Sequence, residues 1–117
     1  MDSFGSEKLS ETFKERIVQR FSKNFLDILV LRLIQTESMW GYKIIKKTEG
    51  LFGIKLRHGA IYPLLNSLEA NGFLRSKQEV HGRRKRKVYA ITSRGIQFIS
   101  AYYEFLSEQL EMYDIRG

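Results

Sequence analysis

The fold is decided by residues 58–92, HGAIYPLLNSLEANGFLRSKQEVHGRRKRKVYAIT, which predict one helix followed directly by a β-hairpin. Apolar residues at positions 61, 64, 65 and 68 share one helical face. Gly72 after Asn71 is a typical signal for a helix end. Pro63 is tolerated only near a first turn, so a helix running from about His58 to Asn71 is expected to start close to residues 59–61.

The hairpin is predicted from two β-prone segments, residues 73–80 and 88–92. Between them, residues 81–87 hold five cations and no acid. Such a run is usually a solvated turn, but a hairpin would hold its charges in one place. A rigid cationic hairpin tip is suited to contacting phosphates.

Three helices are predicted upstream of this stretch. Residues 7–21 have apolar side chains at every fourth position and form an amphipathic helix. Ser22 is a candidate N-cap for a buried helix over residues 25–34, which we favour over a strand although periodicity alone does not separate the two. Ser38 is the candidate N-cap of a third helix that runs to about Leu51 and carries three lysines on its polar face, Lys43, Lys46 and Lys47.

Thr92 is predicted to cap a final helix that reaches about residue 113. Apolar residues at 96, 99, 103, 106, 110 and 113 follow a heptad spacing, and a second apolar row at 98, 102, 105 and 112 lies beside it. Two apolar rows are more than one small domain can cover, so this helix is expected to form a homodimer. The interface is assigned to Phe13, Ile17, Ile99, Tyr102, Tyr103, Leu106, Leu110 and Tyr113.

The fold class is therefore mainly α with a small β-hairpin. Three helices followed by a hairpin, over residues 22–93, predict a winged helix-turn-helix domain, in which the hairpin is called the wing. Residues 1–21 form an N-terminal tail with its amphipathic helix, and residues 94–117 form the C-terminal dimerisation helix.

The distribution of charge indicates a polyanionic partner. The chain has 117 residues and a net charge of +7. Residues 38–94 hold 13 of its basic residues but only 3 acidic ones, so the cationic field belongs to the middle of the chain. There is no cysteine, no secretory signal pattern and no apolar run near the roughly 20 residues of a membrane span. We expect a cytoplasmic, nucleoid-associated protein without cofactor or metal, and no catalytic constellation points to an enzyme.

Candidate contacts to double-stranded DNA cluster around the start of the helix after residue 57. Its outer face carries Tyr62 and Asn66, which can reach base edges, and Gly59 lets the helix start approach DNA closely. Cations just before this helix, on the preceding helix and in the hairpin complete the predicted site: Lys43, Lys46, Lys55, Arg57, His58, Arg83, Arg84, Lys85, Arg86 and Lys87.

Four ordered segments resemble the PadR family of transcriptional regulators. They are residues 39–45 (MWGYKII), 59–69 (GAIYPLLNSLE), 71–74 (NGFL) and 89–95 (YAITSRG), and the resemblance covers residues 25–97. It implies a winged helix, a dimer through the last helix, repression of transcription, and DNA contacts from Tyr42, Tyr62, Asn66 and the wing. The single last helix is similar to the family's short members, some of which bind flat aromatic drugs through a tryptophan there.

The only tryptophan of this chain is Trp40, which lies outside the last helix. Its side chain can belong to the core, to a dimer interface or to a ligand platform, and Tyr42 can equally pack between helices. A candidate site for an unspecified small-molecule effector comprises Trp40, Phe98, Tyr102 and Phe105.

Three functions remain as hypotheses. The first is a sequence-specific repressor that binds a pseudo-palindromic site as a homodimer. The alternatives are a non-specific architectural DNA-binding protein and a winged helix used for protein–protein contact.

Overall fold

The computed structural model describes residues 13 and 23–112. Within these residues the chain forms four helices and one small antiparallel sheet, in the order α1 (Lys23–Thr36), β1 (Met39–Trp40), α2 (Gly41–Phe52), α3 (His58–Ala70), β2 (Leu74–His81), β3 (Arg84–Ile91) and α4 (Ser93–Met112). The strand order in the sheet is β1-β3-β2. This is the predicted winged-helix architecture, and the predicted order is confirmed from the helix over residues 25–34 to the last helix. No helix among the described residues is long and apolar enough to cross a membrane.

The central helix is α1, which confirms the prediction of a helix over residues 25–34. Val30 and Leu31 are fully buried, and Ile28, Leu33 and Ile34 are also in the core. The helix is apolar on several sides because α2, β3 and α4 all pack against it. Ser22, its predicted N-cap, and the predicted helix over 7–21 lie outside the described residues, except that Phe13 is helical and 57% exposed.

The prediction that Ser38 caps the third helix is wrong. Met39 and Trp40 instead form the short strand β1, opposite Tyr89 and Val88 of β3. Helix α2 begins only at Gly41, and its N-cap position, Trp40, makes no side-chain capping bond. The extended conformation prevails because it buries the Met39 side chain in the core, where it is 2% exposed.

Helix α3 follows the prediction closely. Ile61, Leu64, Leu65 and Leu68 are all buried on its inner face. The helix begins at His58, slightly before the expected start, so Pro63 lies in its second turn and cannot donate to the carbonyl of residue 59.

Gly72 terminates α3, as predicted from the sequence. Gly72 has a φ of 79°, in the left-handed region. Its N–H donates to the Glu69 carbonyl at 2.9 Å, and the Phe73 N–H donates to the Leu68 carbonyl at 2.9 Å. These are the two hydrogen bonds of a Schellman motif, which turns the chain directly into β2.

The wing is longer than predicted, and the basic run is not its tip. Strands β2 and β3 pair without a break from Leu74↔Ile91 to His81↔Arg84. The turn consists of Gly82 and Arg83 alone, and Gly82 has the positive φ, 64°, that a two-residue hairpin requires. Four of the five cations, residues 84–87, therefore lie in a strand whose side chains alternate between the two faces of the wing.

The start of α4 is anchored where α3 ends. The Gly95 N–H donates to the Thr92 hydroxyl at 3.1 Å, which makes Thr92 the N-cap, as predicted. The same hydroxyl donates to the Gly72 carbonyl at 2.6 Å. A Cβ on Gly95 would overlap the Phe73 carbonyl, so only glycine allows α4 to approach β2 this closely.

The heptad row of α4 divides into a buried part and an exposed part. Ile99 is 6% exposed and belongs to the core of its own chain, which corrects its assignment to the dimer interface. Phe98 and Tyr102 also pack against this core, because α1 covers this side of α4. The other described apolar residues of α4 are exposed: Ile96, Tyr103, Phe105, Leu106 and Leu110. Ile17 and Tyr113, also assigned to the interface, lie outside the described residues.

Candidate nucleic-acid interface

The start of α2, the outer face of α3 and strand β3 surround an open cleft with a volume of about 640 Å³. Its walls combine aromatic rings with cations, which is the combination expected at a surface that binds nucleic acid. The lining residues are Trp40, Gly41, Tyr42, Tyr62, Arg84, Lys85, Arg86 and Lys87. Six of them were predicted as DNA contacts from the sequence, and the fold brings those six together.

Trp40 connects the base of the wing to its cations. The guanidinium of Arg86 lies over the Trp40 ring, 4.1 Å from its centroid. The imidazole of His81 meets the same ring edge-on at a centroid distance of 5.8 Å. The contact arises because Trp40 pairs with Val88, and side chains two residues apart on a strand share a face.

Tyr42 lies at the junction of α2 and α3. Its ring is stacked on that of His58, with centroids 6.4 Å apart and planes inclined by 18°. The ammonium group of Lys46 lies 5.6 Å from the Tyr42 centroid. Because Tyr42 remains 51% exposed, its packing between the helices leaves one side of the residue open to solvent.

The outer face of α3 presents the predicted base-contacting residues. Tyr62 is 46% exposed, and Asn66 and Gly59 are exposed as well. A Cβ on Gly59 would meet nothing within 4 Å, so packing inside this chain does not require glycine there. Lys55 and Arg57 are exposed just before the helix and do not line the cleft.

Gly41 had no role predicted from the sequence, although it is part of the motif in residues 39–45. A Cβ at this position would lie 3.0 Å from Cε1 of Tyr62 and 3.2 Å from its hydroxyl oxygen. The Tyr62 ring therefore packs directly against the backbone of Gly41. The motif spacing could have identified the glycine, but only the tertiary contact explains it.

The predicted cations differ in how far they are already paired. Arg83, Arg84 and Lys85 are exposed on the wing. Lys43 is bonded to Glu37 at 2.7 Å, a contact that holds the pKa of this carboxyl below its usual value. Lys87 is bonded to Glu69 at 3.2 Å. Lys43 and Lys87 therefore enter any encounter with DNA with a carboxylate already beside them.

Glu69 also received no role from the sequence. One of its carboxylate oxygens accepts a hydrogen bond from the Ser76 hydroxyl of β2, and the other accepts one from Lys87 of β3. The hydrogen bond from Ser76, and then the bond and charge of Lys87, lower the pKa of Glu69. The bond to Glu69 raises the pKa of Lys87, and burial raises the pKa of the neighbouring Tyr89 hydroxyl.

The ring contacts of the candidate effector residues lie in different places. Trp40 contacts Arg86 and His81, whereas Phe98 is stacked on Phe73 with a centroid distance of 4.4 Å. The effector site composed of Trp40, Phe98, Tyr102 and Phe105 stays a prediction. Among the described residues, no group of three His, Cys, Asp or Glu side chains is arranged to hold a metal ion.

The fold and the cleft together define a winged-helix protein of the class that includes transcriptional regulators. Residues 30–101 match the Transcriptional regulator PadR-like family, and the chain belongs to that family. The comparison with curated proteins finds no match.

Several solved structures are similar to this chain in fold. A PadR family transcriptional regulator from Eggerthella lenta is 24% identical, with a TM-score of 0.68, over 98% of this chain and 100% of that one. A PadR family transcription regulator from Clostridium difficile is 21% identical, with a TM-score of 0.64, over 76% and 97%. Bacillus subtilis PadR in complex with operator DNA is 26% identical, with a TM-score of 0.63, over 68% of this chain and 45% of that one.

Proposed function

We propose that this chain is a sequence-specific DNA-binding regulator that represses transcription and binds a pseudo-palindromic site as a homodimer. The observation that carries the proposal is the cleft, where the exposed face of α3 stands beside a strand of cations. The similarity to Bacillus subtilis PadR, solved with operator DNA, supports it. Such a protein acts on DNA in the cytoplasm, at the nucleoid, and needs no cofactor.

The two walls of the cleft have different roles in this proposal. Arg83, Arg84 and Lys85 contact phosphates, which supplies affinity that depends on salt but carries no sequence information. Tyr62 and Asn66 contact base edges and supply the choice of sequence, because each base pair presents a distinct pattern in the major groove.

The dimer is proposed to form through the exposed apolar side of α4. Tyr103, Leu106 and Leu110 follow a spacing of three and four residues along it and are 41%, 38% and 67% exposed. A twofold dimer would present two copies of α3 to half-sites about one helical turn, or roughly 34–36 Å, apart.

Placing acidic side chains in this row tests whether it forms the dimer interface. The double substitution Leu106→Glu and Leu110→Glu should yield monomers in sedimentation velocity, because two like-charged helices would face each other. A matched double substitution on the exposed polar side, Glu104→Gln with Glu108→Gln, should remain dimeric. A dimer that persists in the Leu106/Leu110 variant would refute the interface.

Selection of bound sequences from a random DNA pool tests sequence-specific binding. The selected site should bind at least a thousand times more tightly than random duplex at physiological salt, on the order of the ratios of specific DNA-binding proteins. Equal affinity for the two would indicate an architectural DNA-binding protein. No binding by a folded dimer would indicate a protein-interaction module.

Two substitutions separate the roles of the two walls. Tyr62→Ala should reduce the affinity for the selected site far more than the affinity for random duplex. Arg84→Gln should reduce both affinities similarly and flatten the dependence on salt. Repression itself is tested by a reporter placed behind the selected site, whose expression should fall when the protein is present.

A further inference from the structure

Glu69 joins the helix proposed to contact bases to both strands of the wing. It lies one turn after Asn66 on α3. Its carboxylate accepts hydrogen bonds from Ser76 of β2 and Lys87 of β3. Ser76 pairs with Tyr89 across the hairpin, and the Lys87 ammonium lies 5.5 Å from the Tyr89 ring centroid. One side chain of α3 therefore hydrogen-bonds to both strands of the wing.

The same side chain changes the charge that the wing presents. Lys87 belongs to the run of five cations, yet its ammonium is 3.2 Å from a Glu69 oxygen. The pKa of Glu69 is lowered and that of Lys87 is raised, as expected when each stabilises the charged form of the other. Arg83, Arg84 and Lys85 are exposed on the same wing and have no carboxylate within ion-pair distance among the described residues.

We propose that Glu69 is a specificity-determining positioning residue that holds Lys87 away from the DNA backbone and fixes the wing against α3. This inference rests on the proposed function and reassigns Lys87, which the sequence placed among the phosphate contacts. A fixed wing meets the phosphates only when α3 is in register with the bases. A wing with a released Lys87 contacts phosphates in any register, which favours random DNA.

The test uses Glu69→Gln in the full-length protein, since glutamine keeps the size of the side chain and an oxygen that can accept from Ser76. Each phosphate contact contributes about −0.9 to the slope of log affinity against log salt. For random duplex, the slope should become steeper by about 0.9 per protomer, or about 1.8 for a dimer with both wings engaged. The affinity ratio between selected site and random duplex should fall.

Two further variants show whether Lys87 is responsible. Lys87→Met alone should leave the slope unchanged, because the ammonium is already paired. The double variant Glu69→Gln with Lys87→Met should return to the slope of the unmodified protein. Glu49→Gln, at an exposed residue of α2, removes one negative charge elsewhere and should leave the slope unchanged.

The inference is overturned if Lys87→Met flattens the slope by about 0.9 per protomer, since Lys87 would then contact a phosphate directly. It is also overturned if the double variant is as steep as Glu69→Gln, or if Glu69→Gln keeps the original slope and affinity ratio. Lys87 is exposed, so its variant remains informative if Glu69→Gln does not fold. Failure of the unmodified protein to bind any DNA would instead refute the proposed function.

Discussion

Replacing Gly41 by alanine should weaken recognition of the selected DNA site without lowering the stability of the fold. The new methyl group would lie 3.0 Å from Cε1 of Tyr62 and 3.2 Å from its Cζ and hydroxyl oxygen. Ordinary van der Waals contacts of such atoms are longer, so the tyrosine ring must move by a few tenths of an ångström. Tyr62 is 46% exposed, and it can swing towards solvent without opening a cavity in the core.

Stability and binding are expected to respond differently to this substitution. Gly41 is the first residue of α2, so alanine gains at most the about 0.5–1 kcal/mol that it gains in the middle of a helix, and this gain offsets the small cost of moving an exposed ring. The melting temperature should therefore stay constant or rise slightly. A mismatch between a side chain and its base pair costs about 1–3 kcal/mol of binding free energy. Since about 1.4 kcal/mol corresponds to a factor of ten, affinity for the selected site should fall by about fivefold to 150-fold.

The assay compares equilibrium binding to the selected site and to random duplex, alongside thermal unfolding. Affinity for random duplex should change little, because phosphate contacts from the wing remain. Gly50→Ala is the matched control, since it lies in the same helix and its Cβ would meet nothing within 4 Å. An equal loss of affinity for both DNAs, or an unchanged affinity for the selected site, would refute the assignment of Tyr62 as a base-contacting residue held by Gly41.

Three further predictions concern the packing at Gly95, the charge of Glu69 and the cations of the wing. Gly95→Ala should lower the free energy of unfolding by about 1–3 kcal/mol, because the added Cβ would overlap the Phe73 carbonyl and lie 2.8 Å from Ile91 Cγ1. Urea unfolding measures this loss, and an unchanged unfolding midpoint would contradict the packing. The lowered pKa of Glu69 means that its charge stabilises the fold above about pH 4.5, and that this stabilisation is lost as the pH falls through the lowered pKa. The difference in unfolding free energy between the unmodified protein and Glu69→Gln should become smaller over that range. A difference that does not change with pH would contradict this role of the Glu69 charge. Trp40, the only tryptophan, should change its fluorescence when DNA engages Arg86, and Arg86→Met should remove most of that change; an undiminished signal would show that it has another source.

Helix α3 and its end were predictable because their determinants are local. The apolar face of Ile61, Leu64, Leu65 and Leu68 repeats with the helical period, and all four side chains are buried. Gly72 marks the helix end because only glycine adopts a positive φ there at little cost. The walls formed by α3 and β3 come from this same stretch, since elements consecutive in sequence are usually adjacent in space.

Strand β1 was not predictable from its own residues. Met39 and Trp40 follow Ser38, a good N-cap, and local preferences favour starting the helix there. The pairing partners, Tyr89 and Val88, lie about fifty residues further along the chain. Their contribution to the free energy exists only after the hairpin has formed.

Which apolar residues of α4 are buried and which are exposed also depends on contacts between residues that are distant in sequence. Ile99 and Tyr103 occupy the same heptad row, yet Ile99 is in the core and Tyr103 is 41% exposed. Periodicity identifies an apolar face but not which of its residues the rest of the chain buries. Glu69 is a similar case, because its partners are on strands that a helical pattern does not reveal.

The order of helices and hairpin, the family resemblance and the cationic character of the wing can be read from the sequence, since they follow from periodicity, turn residues and charge along the chain. The folded chain, in contrast, establishes which cations remain exposed and which are paired, and that Tyr62 packs against Gly41. Such ion pairs and ring contacts form between residues that are close in space but distant in sequence. Their distances are set by the packing of helices and strands against one another rather than by any local preference of the chain.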